Sequence, residues 1–194
     1  MQFLQRARAV LRRIARWMNA LAGWMFFACA AFITFDVVAR NFFGFSSKST
    51  TEITGYMLAF GVAWGLAHTL YERGHVRVDI LINRMPPGLR QYLHILALLL
   101  LAGFAAYATF GAFELARESF DFGATDMSAF RMPLVIPQGF FAFGLAMLFI
   151  CALELALESA ALIVAKKPQE IDQLLASRTY EDEASEVLQA VKPP

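Results

Sequence analysis

The sequence predicts an all-α integral membrane protein with four transmembrane helices, both termini on the cytoplasmic side, and an N-terminal amphipathic helix at the interface. Three observations predict it. Of 194 residues, 58% are hydrophobic and only 17% are charged, with a mean hydropathy of +0.51; soluble domains sit nearer about 45–50% apolar and about 25% charged. The apolar residues fall into four long runs, each near the roughly 20 residues needed to cross a bilayer. Lys and Arg are unevenly placed between those runs: thirteen lie in residues 1–20, 72–90 and 166–194, against four in the two other loops. By the positive-inside rule the thirteen mark the cytoplasmic side.

Residues 1–20 form the first element. Leu4, Ala7, Val10, Leu11, Ile14, Trp17 and Met18 recur at helical spacing, with Arg6, Arg8, Arg12, Arg13 and Arg16 between them. Such a basic amphipathic helix suits the headgroup region of an anionic leaflet; the alternative is the charged flank of the first span. A cleaved signal peptide ending near Ala30 would look similar, but the apolar run continues through Phe32, Ile33 and Phe35, so retention is expected.

Span one is expected at 17–38, and a short polar loop at 45–51 leads to span two at 52–71. Gly61 and Gly65 in span two let another helix approach closely. The charged pivot 72–87 follows, ended by Pro86 and Pro87. Span three is expected at 92–115, a polar loop from 117 to 132, and span four from 133 to about 160. The apolar character persists to Ala165, so this last helix must tilt or project, and Glu154 with Glu158 favours projection. The tail from 166 is acid-rich and is expected to be a solvated cytoplasmic segment. Cys29 and Cys151, both within apolar runs, read as small buried hydrophobes.

Several groups have the residue types that could carry chemistry. Asp36 and Arg40 are one helical turn apart, which favours an internal ion pair; Glu52 either joins them or sits at the favourable positive end of span two. His75 and Asp79, spaced i, i+4 in the pivot, are two ligands without a third, so no metal is expected. Gly74 suits a turn there, and Arg77 with Asp79 suits local pairing. His68 and His94, in spans taken as hairpin neighbours, raise the alternative of a haem-binding membrane anchor of an oxidoreductase. Asp36, Arg40 and Glu52 raise that of a small channel. No phosphate loop, nucleophile triad or zinc signature is present. Basic residues confined to membrane flanks do not indicate nucleic acid. The chain is therefore not expected to be an enzyme, to hold a cofactor, or to carry its own substrate site.

The ordered set Asp36-Val37-Val38-Ala39-Arg40, Phe43-Gly44, Glu52, Arg73-Gly74-His75-Val76-Arg77-Val78-Asp79, Met85-Pro86-Pro87 and Arg131-Met132-Pro133 with Pro137 resembles the small membrane subunit of tripartite ATP-independent periplasmic (TRAP) transporters, the DctQ-like family. One departure is Thr51 before a lone Glu52, where the family often has two adjacent acids. The resemblance implies a non-catalytic scaffold subunit in a bacterial inner membrane. Its implied partners are a large multi-span subunit that holds the substrate and sodium sites, a periplasmic binding protein that delivers an organic acid, and membrane lipids. Together with the close-approach glycines Gly61 and Gly65, it makes Asp36, Arg40, Glu52, Gly74, His75, Arg77, Asp79, Arg131, Pro133 and Pro137 the candidate structural or subunit-interface residues.

Overall fold

The structure is a computed structural model that describes residues 2–45, 47–72 and 87–165. Its described residues form four helices: α1 Gln2–Phe43, α2 Thr50–Tyr71, α3 Pro87–Asp121 and α4 Val135–Val164. All four are long and apolar enough to cross a membrane. The pivot residues Gly74, His75, Arg77 and Asp79, and the tail from 166, lie outside the described residues.

The basic arm expected as an interfacial helix of its own is the N-terminal part of α1, which runs unbroken into span one. At 1.5 Å per residue, 42 residues extend about 63 Å, twice the hydrocarbon core of about 30 Å. Packing holds the arm in line. Ala15 and Met18 are buried in the core, and Leu11 lies against it.

Glycines in the left-handed region end α1 and α3 where no other residue fits as cheaply. Gly44 has φ 63° and Gly123 has φ 59°. After α3, the Ala124 N–H returns to the Ser119 carbonyl at 2.8 Å and the Gly123 N–H to that of Phe120 at 3.1 Å. The loop expected from Arg117 therefore starts later. Arg117 stays helical because its spacing from Glu114 and Asp121, at 3.9 Å from each, suits same-face pairing.

Helix α4 is the centre of the bundle. In its most apolar window 56% of residues are buried, against 17–28% in the other three helices. It packs against α1, α2 and α3, whereas α3 makes extended contact with α4 alone. Spans two and three, expected as hairpin neighbours, are thus not packed as a pair. Alanines thin the contacts (Ala67, Ala102, Ala105, Ala152 and Ala156), and Leu98, Met147, Leu148 and Leu155 fill between them. Small residues at such contacts let helices gain dispersion where water offers no driving force.

The tightest approach is α2 to α4. A Cβ on Gly144 would meet the backbone of Ala63 at 2.8 Å. The Gly61 expectation of close approach holds against a side chain, since a Cβ there would meet the Phe26 ring of α1 at 2.7 Å. At Gly65 the nearest atom would be Asn19 Oδ1 at 3.6 Å, an ordinary contact. Gly144→Ala is expected to lower the thermal unfolding midpoint of the detergent-solubilised chain clearly, by about 1–3 kcal/mol of overpacking. Gly61→Ala is expected to cost less, because a ring can turn and a backbone cannot. Equal tolerance of both substitutions would show that α2 and α4 are not held by this contact.

Candidate functional site

The antiparallel bundle has two polar ends. At one end lie the C-terminus of α1, the N-terminus of α2, the C-terminus of α3 and the N-terminus of α4. Here Asp36, 2% exposed, accepts from Arg40 Nη2 at 2.8 Å and from the Ser47 N–H at 3.1 Å. Ser47 Oγ meets Thr50 Oγ1 at 2.7 Å and accepts from the Ser49 N–H at 3.3 Å. The expected Asp36–Arg40 pair therefore forms, and its carboxylate also ties the 44–49 loop to α1. Glu52 lies in the first turn of α2, where the helix dipole favours a carboxylate. Among the described residues it joins no ion pair with Arg40.

Residues 122–134 form the second connection at this end, and its organiser is Asp126. Oδ1 of this buried residue accepts from Ser128 N–H at 3.2 Å, Ser128 Oγ at 2.8 Å and Met132 N–H at 3.1 Å. Oδ2 takes a longer contact, 3.4 Å, from the Tyr56 hydroxyl of α2, joining the two connections. The Asp126 N–H in turn donates to the Met132 carbonyl at 3.0 Å. In the sequence Asp126 is one acid of the polar loop expected at 117–132. Its signal was the Asp-Met-Ser order, since an Asp two residues before a Ser readily folds back on the backbone.

The expected residues Arg131, Pro133 and Pro137 lie here too. Arg131 is exposed, with φ 46°, and its N–H donates to the Ser128 carbonyl at 3.2 Å. Pro133 bridges to Thr125, and its carbonyl accepts the Ile136 N–H as α4 begins. Pro137, in the first turn, borders two apolar grooves, where a missing N–H costs nothing. One groove, about 510 Å³, opens between α2 and α3 and is floored by Gln138, Phe141 and Leu145 of α4. The other, about 630 Å³, opens between α1 and α2 over Phe140. Within the second groove the Trp64 indole N–H donates to the Phe140 carbonyl at 2.8 Å, and Phe60 stacks on Trp64 at 4.3 Å.

At the opposite end, Glu154 and Glu158 of α4 are buried within the chain, 6% and 8% exposed. The α1 arm and Tyr71 supply the reason. Glu154 Oε2 accepts from the Tyr71 hydroxyl at 3.1 Å, Glu158 pairs with Arg8 at 3.3 Å, and Arg12 pairs with Glu72 at 3.0 Å. His94 is buried in α3 and His68 half-buried in α2, on helices that do not pack together as a pair, so the hairpin that motivated a haem site is not formed. Cys29 and Cys151 are buried and free.

Four spanning helices, buried carboxylates engaged within the chain and broad exposed apolar faces define a multi-pass membrane protein. The family profile described as "Tripartite ATP-independent periplasmic transporters, DctQ component" matches residues 29–162, and the chain belongs to this family. It is accordingly a component of a transporter of the TRAP class. No curated protein matches the chain, and no solved structure does.

The two polar ends differ in how a lost partner is felt. Asp36→Ala removes the acceptor of the Ser47 N–H as well as the Arg40 pair, and is expected to cost about 1–3 kcal/mol. Arg40→Ala is expected to cost under about 1 kcal/mol, since its side chain is 62% exposed and Asp36 keeps the Ser47 bond. Thermal unfolding in detergent measures both, and the reverse order would contradict the assignment. Tyr71→Phe, which removes the hydrogen bond to the buried Glu154, is expected to cost about 1–3 kcal/mol by the same measurement. A midpoint equal to that of the unaltered chain would show that Glu154 is held in another way.

Proposed function

We propose that the chain is the small, non-catalytic scaffold subunit of a sodium-coupled TRAP-type secondary transporter. In this reading it sits in a bacterial inner membrane with both termini in the cytoplasm, and the system imports an organic acid delivered by a periplasmic binding protein. The observation that carries it is the DctQ match over residues 29–162, which covers the C-terminal part of α1, all of α2 and α3, and nearly all of α4. The distribution of Lys and Arg supports the orientation: the end holding Arg8 and Arg12 carries the excess of positive charge, and the end holding Asp126 faces the periplasm.

The scaffold role is supported by how the polar groups are used. Asp36, Asp126, Glu154 and Glu158 are engaged in holding helices and loops of the same chain. What faces outward is apolar: Phe104, Tyr107 and Phe110 of α3 are 65–79% exposed. Lipid or a second membrane protein must cover such a surface. The grooves beside Pro137 and the exposed Arg131 are the proposed contacts for the large subunit and the periplasmic protein. Gly74, His75, Arg77 and Asp79 are proposed to brace the large subunit at the cytoplasmic end.

Affinity purification of the tagged chain from its native membrane is expected to recover a large multi-span partner, and deletion of the chain to abolish organic-acid uptake. Recovery of the chain alone, with uptake intact in the deletion strain, would rule the proposal out.

A further inference from the structure

Arg8, Arg12, Arg13 and Arg16 of α1, with Glu158 of α4, surround a recess of about 440 Å³. Two of these arginines are compensated, Arg8 by Glu158 at 3.3 Å and Arg12 by Glu72 at 3.0 Å. Glu154, one turn deeper, is engaged by the Tyr71 hydroxyl. Arg13 and Arg16 are exposed, and among the described residues neither has an ion-pair or hydrogen-bond partner. The recess therefore holds two guanidinium groups that no described residue balances, and a guanidinium fork fits a phosphate.

The face of α1 that continues from Arg13 is apolar and open. Trp17, Trp24 and Phe27 lie within about 40° of Arg13 around the helix at about 100° per residue. They are 69%, 71% and 68% exposed. From Trp17 to Phe27 the helix rises about 15 Å, the depth of one leaflet of a hydrocarbon core about 30 Å thick. A cationic recess above an apolar track one leaflet long has the shape of an amphiphile.

We propose that this recess and track bind one anionic phospholipid, its phosphate between Arg13 and Arg16 and an acyl chain along Trp17, Trp24 and Phe27. A soluble phosphate would use the recess alone and leave the track unexplained, so the lipid is the occupant. The site would fix the depth of α1 and pin the arm to the leaflet that is rich in anionic lipid. It depends on the chain spanning a membrane and not on its part in transport.

The full-length chain, reconstituted in nanodiscs of phosphatidylcholine with a minority of phosphatidylglycerol and then extracted into mild detergent, is the material for the test. Native mass spectrometry is expected to find phosphatidylglycerol retained in preference to phosphatidylcholine. The double substitution R13Q/R16Q is expected to weaken that retention roughly thirty-fold. Excess glycerol phosphate is expected to leave the lipid in place. Equal retention of the two lipids, or retention unchanged in R13Q/R16Q, would overturn the site. Displacement by glycerol phosphate would show that a free phosphate is the ligand. A photo-crosslinker placed at Trp24 that captures a protein and no lipid would show that the track is a protein contact. Should R13Q/R16Q fail to fold, the preference of the unaltered chain and of R13K/R16K decides the matter, since the lysines keep the charge.

Discussion

A Cβ on Gly144 would lie 2.8 Å from the Ala63 carbonyl carbon, and this approach of α4 to α2 sets where the other helices pack. With α2 drawn against it, α4 keeps further faces for α1 and α3 and becomes the buried centre. In a lipid solvent apolar burial earns little, so contact distance and polar satisfaction decide the arrangement. Alanine and glycine supply the distance; Trp64, whose indole N–H reaches the Phe140 carbonyl, supplies a directional bond across the same pair of helices.

Polar satisfaction governs the ends. Among the described residues each buried carboxylate has a partner from another element or from the loop it organises: Asp36 with Ser47, Asp126 with Ser128, Met132 and Tyr56, Glu154 with Tyr71, Glu158 with Arg8. A charge at membrane depth is tolerated only on such terms. The outcome is a chain whose described buried carboxylates hold its own architecture, while large aromatic and aliphatic side chains face outward. That division suits a subunit that supports a transporter and leaves the substrate to another chain.

The four spans, the Asp36–Arg40 pair and the glycine contact at Gly61 were legible because each is written locally, in runs, i, i+4 spacing or a small residue. The fate of Glu154 and Glu158 was not. Two acids one turn apart look like a solvated helix end until Arg8, 150 residues away in sequence, is placed beside them. Gly144 carries no local signal, because its meaning lies in its approach to Ala63, a residue with no signal of its own. The continuity of the arm with span one was hidden because an amphipathic stripe followed by an apolar run describes both a bent pair of helices and a single long one. The separation of α2 from α3 was hidden because α4 takes the place that chain order suggested for a neighbour.

The scaffold account makes one requirement above the rest: the chain must be needed for transport without transporting. Sodium-driven uptake of an organic acid into proteoliposomes, measured with the large membrane subunit and the binding protein present, tests it directly. The account expects uptake when this chain is included, background flux when it is left out, and background flux from this chain alone. Full uptake without the chain, or uptake by the chain on its own, would contradict it.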